Sequence, residues 1–273
     1  MERCTQERDN KMQGNMSLER GLMVLKAVAS SSEPLGVREI ARRVEQSPSS
    51  IQRLLHTLCA QGFVDQIEST KRYCAGHEIL NLARTLLEQD ELIALADAEL
   101  RLLAQSNDLN GFLGARRGSK AFYLAAVQSN GSLVIRATPG ESMFLHSTAL
   151  GKALLIDCSD DDIRALAAEE PFVRRTPRTV TDPEKLMDQL RRARSVGYTT
   201  ALNENIPGIF SIGAPLRNAK GVIVAAISVA FPRAAQPNLA VAAVGERVMA
   251  AAAAIEMARG VVRANVSEKS DAA

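Results

Sequence analysis

The sequence contains no tryptophan, and aromatic residues make up only 4% of its 273 positions. Its hydrophobic cores must therefore be built mainly from leucine, valine, isoleucine and alanine. It also lacks an excess of either charge, since 33 basic and 31 acidic residues leave a formal net charge of +2. This balance excludes a polybasic, histone-like protein. It leaves DNA binding open, because the field at a surface depends on local charge.

Histidine, paired cysteines and long apolar runs are also scarce. Three histidines provide few candidates for general acid–base catalysis, so the sequence does not predict an enzyme. The four cysteines show no disulfide spacing, and the first residues lack the apolar core of a signal peptide. The longest apolar runs, 222–230 and 248–255, are far shorter than the ~20 residues that cross a bilayer. We therefore expect a protein of a reducing, bacterial-type cytoplasm that contacts no membrane.

Length and composition predict two globular domains. A domain has about 150 residues as a rule, and 46% apolar with 23% charged residues is ordinary for globular proteins. The predicted fold class is α+β. The predicted divisions are a disordered arm over 1–16, a winged helix-turn-helix domain over 17–76, linker helices over 77–106, a C-terminal α/β domain over 107–260 and a flexible tail over 261–273.

Three short helices followed by two short strands are typical of a winged helix-turn-helix. Ser17 can cap the first helix, whose predicted apolar face carries Leu18, Leu22, Leu25 and Val28. The other predicted elements are a helix over 37–44, a helix over 48–61 that begins with a Ser-Pro cap, and strands over 63–67 and 72–75.

The third of these helices has a face suited to DNA. It buries an apolar stripe, and no acidic residue occurs between 46 and 61. The first residues of such a helix enter the major groove, where arginine pairs with guanine, glutamine with adenine and serine with either. The candidates for reading bases are Ser49, Ser50, Gln52, Arg53 and His56. The candidates for holding phosphates are Arg38, Arg42, Arg43, Lys71 and Arg72.

Two other interpretations of this domain stay open at this point. It can be a winged helix that binds a protein partner, or a plain helical subdomain. The local charge excess is small, with six basic and four acidic residues between 36 and 73. If the domain binds double-stranded operator DNA, we therefore expect affinity to come from a dimer rather than from one copy.

The second half of the chain alternates strands and helices, which predicts a sensor-like α/β domain with an antiparallel central sheet. The predicted strands are 111–115, 121–127, 133–137, 198–202, 209–215 and 222–230, and the predicted helices are 148–156, 160–169, 183–196 and 238–259. Before this domain, a leucine stripe that includes Leu82, Leu86, Leu92 and Leu95 is interrupted at Asp90. The stripe packs either within the chain or between subunits.

The order and spacing of several motifs resemble those of IclR-type bacterial transcriptional regulators, over roughly 17–260. The motifs are SLERGLMVL over 17–25, REIAR over 38–42, PSSIQRLLHTL over 48–58, GFV over 62–64, LHSTALGKA over 145–153, TPRTVTD over 176–182, and shorter matches at 197–198, 207–208, 212–215 and 225–232. The resemblance implies a winged helix-turn-helix, a linker helix and a GAF-like effector-binding domain. It also implies a homodimer or homotetramer on operator DNA and a small organic acid as effector.

The LHSTALGKA motif provides a candidate site for that acid. Ser147 or Thr148 can cap the helix that starts here, which leaves the N–H groups of Ala149, Leu150 and Gly151 free to bind a carboxylate. The resemblance implies the same contact, because acid ligands of the family bind backbone amides at this motif.

The resemblance also implies four further effector-binding positions, and here the chain departs from the family pattern. They are Ala201, Ser211, Ser228 and Ala230, where a glyoxylate- or pyruvate-type pocket has Asp, Cys, Ser and Ser. The loss of an acid and a hydroxyl makes this pocket less polar. We therefore expect a larger acid with an aromatic or alkyl part. Its apolar part would contact Met143, Phe144 and Phe210, unless these are plain core residues.

The sequence does not support a zinc site, a P-loop or a hydrolase nucleophile, because the spacing or the predicted placement of the residues is wrong. His56, Cys59, Cys74 and His77 resemble a zinc site in spacing, but they are predicted on different faces. Gly151-Lys152 lacks the rest of a P-loop, and no hydrolase elbow surrounds Ser147. We expect no metal and no cofactor. The predicted function is an acid-controlled, sequence-specific transcriptional regulator, and the alternative is a small-molecule sensor whose winged helix contacts a protein.

Overall fold

A computed structural model describes residues 15–129, 131 and 134–261, apart from the side chains of 86–89 and 106–107. Most of the predicted arm over 1–16 and tail over 261–273 therefore lies outside the described residues. The chain divides into two compact units between Gln89 and Asp90.

The N-terminal unit is a winged helix-turn-helix, as predicted. Its elements are α1 Met16–Ala29, α2 Val37–Arg43, α3 Pro48–Ala60, β1 Val64–Gln66, β2 Tyr73–Ala75 and α4 His77–Gln89. Strands β1 and β2 are antiparallel and form the wing. Ser47 caps α3 by accepting the Ser50 N–H, and Pro48 occupies the first turn. The predicted cap of α1 is wrong, because the Asn15 side chain accepts the Ser17 and Leu18 N–H groups.

Helix α1 buries only part of the face predicted for it. Val24 and Val28 lie in the core, whereas Leu18 and Leu22 are 62% and 48% exposed. Of the residues predicted to face inward, Val28 is buried and Leu25 packs against the core. Val24, one turn before Val28, completes the buried stripe in place of Leu18 and Leu22.

The C-terminal unit is a six-stranded antiparallel sheet with helices on both faces. Its elements are α5 Glu91–Asn107, β3 Asn110–Arg117, β4 Lys120–Val127, β5 Ser142–Met143, α6 Ala149–Leu155, α7 Asp160–Glu169, α8 Pro183–Val196, β6 Thr199–Leu202, β7 Ile209–Arg217, β8 Ile223–Pro232 and α9 Val241–Ala258. The strand order is β5-β4-β3-β8-β7-β6. Helices α5 and α9 cover one face, and α6, α7 and α8 pack on the other.

The edge of the sheet next to β4 differs from the prediction. The strand expected over 133–137 is wrong, since 134–137 form no regular element. The edge is instead β5, in which Met143 pairs with Ala121 and Ser142 with Phe122 of β4. Buried Asn110 explains the irregular segment, because its side chain accepts the Ile135 N–H at 3.1 Å, in place of the regular pairing of a strand.

The predicted linker divides between the two units. Asp90 ends the first part and caps α5, accepting the Leu92 N–H at 3.0 Å. Leu92 and Leu95 pack into the core of the C-terminal unit, so this part of the leucine stripe packs within the chain. Leu82 on α4 is 56% exposed and is not part of a buried core cluster of the described residues.

Candidate functional site

The exposed face of α3 carries the predicted base-reading residues. Ser49, Gln52, Arg53 and His56 are exposed, and Ser50 is half-buried beside the cap. The same face continues onto α1, because Ser17 and Arg20 line one groove together with the α3 residues. Sequence reasoning missed Arg20, since a pattern along one helix does not show which neighbouring helix lies beside it.

Four of the five predicted phosphate-binding side chains are free to act in that way. Arg38, Arg42 and Arg43 are exposed on α2, and Lys71 is exposed at the turn of the wing. The lysine has a φ of 55°, so the wing turn places a non-glycine residue in the left-handed region.

The fifth predicted phosphate-binding residue, Arg72, instead makes contacts within its own unit. Its Nη2 lies 2.7 Å from Glu39 Oε2, and its Nε donates to the Pro34 carbonyl at 2.7 Å. Hydrogen bonds from the Gly36 N–H and then from Arg72 lower the pKa of Glu39. The arginine thus fastens the wing strand to the start of α2, and this engagement competes with the predicted phosphate contact.

The zinc-like spacing does not assemble a site. Within the described residues, no group of three or more histidine, cysteine or acidic side chains is arranged to hold a metal ion. Cys59 and Cys74 are half-buried free thiols, and burial raises the pKa of Cys59. No helix in the described ranges is long and apolar enough to span a membrane.

The C-terminal unit contains a cavity of about 220 Å³ at the predicted effector position. Seven of the eight predicted effector residues line it. They are Thr148, Ala149, Leu150, Ala201, Ser211, Ser228 and Ala230. These residues are distant in sequence, and the antiparallel sheet brings them together, with Ser211 placed opposite both Ala201 and Ala230 on the neighbouring strands.

The first amides of α6 differ in whether they already have an acceptor. Thr148 caps the helix, since its Oγ1 accepts the Gly151 N–H at 2.9 Å and donates to the Phe144 carbonyl at 2.7 Å. The prediction that Gly151 offers a free N–H is therefore wrong. Its lack of a side chain serves packing, because a Cβ would lie 2.5 Å from the Phe144 carbonyl oxygen. Ala149 and Leu150 line the cavity, and neither amide has an acceptor in the described part of the chain.

Of the three apolar residues suggested for the pocket, Met143 and Phe144 line it and Phe210 does not. Phe210 packs edge-on against Phe231 at 6.2 Å, on the other face of the sheet. The reason is strand alternation: Ser211 faces the cavity, so its neighbour must face away.

Several lining residues had no signal in the sequence. Phe112 and Tyr123 add aromatic walls, while Arg136, Glu141 and Arg175 add charge. Burial, and then the nearby Glu141 charge, raise the pKa of Tyr123 to about 12. Its hydroxyl therefore stays protonated and can donate a hydrogen bond. The Arg175 guanidinium lies 5.0 Å from the centre of the Phe144 ring.

A buried ion pair connects two segments that line the cavity. Lys152 Nζ lies 2.7 Å from Glu204 Oε2 and donates to the Thr200 carbonyl at 3.0 Å. Burial lowers the pKa of Lys152, and the Glu204 charge opposes that shift. The pair ties α6 to the loop after β6, whose Asn205 and Ile206 line the cavity.

Comparison with known proteins decides the family. The family model described as "Bacterial transcriptional regulator IclR C-terminal" matches residues 84–257, and the "IclR helix-turn-helix domain" matches residues 17–68. The chain belongs to the IclR family of bacterial transcriptional regulators. The predictions of a DNA-binding regulator and of a protein that is not an enzyme are thereby confirmed, since the IclR relatives named below are transcriptional regulators.

Individual IclR relatives match along most of their length. The transcriptional regulator BhcR of Paracoccus denitrificans is 29% identical over 239 residues, which cover 88% of this chain and 85% of BhcR. KdgR of Escherichia coli is 29% identical over 209 residues, covering 77% and 79%. A crystal structure of an IclR homologue from Microbacterium hydrocarbonoxydans, complexed with 4-hydroxybenzoate, has the same fold, with a TM-score of 0.76 and 23% identity over 88% of this chain and 98% of that one.

Proposed function

We propose that this IclR-family protein is a sequence-specific operator-binding regulator whose DNA affinity is controlled by a small organic acid held in the C-terminal cavity. The observation that supports it is the convergence of seven predicted effector positions on one cavity. Because the target is chromosomal DNA, we place its action in the cytoplasm.

The lining favours an acid with an aromatic or alkyl part. Ala201 and Ala230 leave the floor of the cavity without a carboxylate, and Phe112 and Phe144 supply apolar walls. The free Ala149 and Leu150 amides suit a carboxylate, as backbone N–H groups at a helix start commonly do. The IclR homologue with bound 4-hydroxybenzoate supports the same class of ligand.

We further propose that the protein acts as a homodimer, with one winged helix on each half of a pseudo-palindromic operator. Helix α1 supports this proposal, because it carries large apolar residues that no described residue of its own unit covers. They are Met16, Leu18, Leu22 and Met23. The small local charge excess of one DNA-binding unit also calls for two copies on the operator.

The acid controls DNA binding only if it binds the DNA-competent and DNA-incompetent states with different affinities. The cavity and the DNA-reading face of α3 lie in different units of the chain. An acid that binds both states equally would leave operator affinity unchanged.

Fluorescence anisotropy tests the regulator function. The full-length protein is titrated onto labelled DNA from upstream of its own gene and onto a scrambled duplex of equal length, at several salt concentrations. We expect tight binding to the first duplex and a steep loss of affinity with salt, as counterions are released. Equal, weak binding to both duplexes in every salt condition would instead favour a winged helix that contacts a protein.

A further inference from the structure

The lining of the effector cavity carries charge only where it is exposed. Thr148, Ala149, Ser228 and Ala230 are buried and uncharged, so the deep part of the cavity holds only polar hydroxyls, amides and apolar groups. The three charged lining residues are all exposed, and they are Arg136, Glu141 and Arg175. The exposed rim and the buried floor therefore suit different chemical groups.

The two arginines of the rim are available to a ligand. Within the described ranges, neither guanidinium makes an ion pair or a hydrogen bond with the protein. Glu141 is committed to its own turn, since its Oε2 accepts the Thr138 N–H at 3.1 Å. Two arginines against one glutamate leave the rim with a net positive charge, which favours an anionic group there.

Arg175 is also held in place before any ligand binds. Its guanidinium stacks over the Phe144 ring, and its backbone N–H donates to Thr179 Oγ1 at 2.9 Å. Thr179 Oγ1 in turn donates to the Glu204 carbonyl at 2.6 Å, next to the loop that lines the cavity. The hydrogen bonds fix the backbone at Arg175, and the ring contact restrains its guanidinium, which lowers the entropy lost when that group binds an anion.

We infer that the effector is a dicarboxylate with a short apolar spacer, and that Arg136 and Arg175 bind its second carboxylate. The first carboxylate occupies the buried end, near the Ala149 and Leu150 amides, and the spacer lies between the aromatic walls. The cavity of about 220 Å³ is below the range of about 300–1,000 Å³ typical of drug-sized ligands, so a single ring suits it as spacer. This inference rests on the proposed effector function of the cavity and narrows its ligand class.

Isothermal titration calorimetry on the full-length protein tests this inference with two probes that differ by one acid group, benzoate and benzene-1,4-dicarboxylate. We expect the dicarboxylate to bind at least about tenfold more tightly, as a charge-assisted hydrogen bond provides. In Arg136→Gln and in Arg175→Gln the preference should fall to near unity through weaker dicarboxylate binding, with benzoate affinity little changed. Arg136→Lys should restore part of the preference, because it keeps the charge.

Arg174→Gln is the matched control. This arginine is exposed and adjacent to Arg175 but does not line the cavity, so its removal should leave the preference intact. Equal affinity of the wild type for the two probes would overturn the inference. So would a preference that survives both single arginine substitutions. Binding of benzoate with an effect on operator affinity would still uphold the proposed function in those cases, whereas no binding of either acid would count against both.

Discussion

Lys152 and Glu204 form a buried ion pair, and removing one partner should destabilise the protein far more than removing both. The Lys152 and Glu204 side chains are 1% and 8% exposed, so Lys152→Met leaves a carboxylate with little access to water. Among the described residues, the hydrogen bond that this carboxylate keeps is the one from the Gln189 amide at 3.4 Å. An uncompensated buried charge of this kind typically costs about 3–5 kcal/mol of the free energy of unfolding.

The assay is urea unfolding followed by far-UV circular dichroism, on the wild type, Lys152→Met, Glu204→Leu and the double variant. We expect each single variant to lose about 3 kcal/mol or more, and the double variant to lose less than either, because apolar groups of similar volume replace the pair. Arg164→Gln is the control, since the exposed pair with Glu184 should leave stability nearly unchanged. Additive losses in the double variant would show that the two charges do not compensate each other in the folded protein.

Four further outcomes follow from the structure. Arg53→Ala should weaken specific operator binding by ~1–3 kcal/mol if the side chain reads a base, and unchanged affinity in anisotropy would remove that role. Arg42→Gln should lower the slope of log binding constant against log salt concentration by about 1, because a phosphate contact is lost. Arg72→Gln should change that slope less and should lower thermal stability, because Arg72 forms an ion pair with Glu39. Ala201→Asp buries a carboxylate in the cavity floor and should weaken benzoate binding at least about tenfold by calorimetry, with Ala201→Ser as the control; equal losses in both would contradict it. Burial lowers the pKa of His146, so the folded state disfavours its charged form. The free energy of unfolding should be constant above the ordinary pKa of about 6.5 and fall as pH drops below it. His146→Gln should reduce that pH dependence, measured by urea unfolding at pH 7 and at about pH 5.5.

Local patterns predicted most of the secondary structure because its signals lie within a few residues. The Ser47-Pro48 cap set the start of α3 correctly, and the predicted bounds of α7 and α8 match the structure. The buried face of α1 was predicted only in part, since Val28 is buried as expected but Leu18 and Leu22 are exposed and Val24 is buried instead. The pattern along α1 does not show how the helix is rotated in the core that it forms with α2 and α3.

The family pattern indicated several residues that line the cavity. It did not indicate the lining residues that only tertiary contacts bring there. Ser211 and Ala230 were expected in the cavity and line it, but Phe210 was expected there against the alternation of strand faces. Arg136 and Arg175 could not be found in this way. They reach the cavity from segments outside the sheet, and no local spacing relates them to α6 or to each other.

In the proposed function, an acid in the C-terminal cavity changes operator affinity. The most direct test measures the operator Kd with and without saturating 4-hydroxybenzoate, and the Kd of that acid with and without saturating operator. We expect the two ratios of Kd values to be equal and to differ from one, because coupling between two binding sites is reciprocal. An acid that binds the protein in the cavity yet leaves the operator Kd unchanged would contradict it.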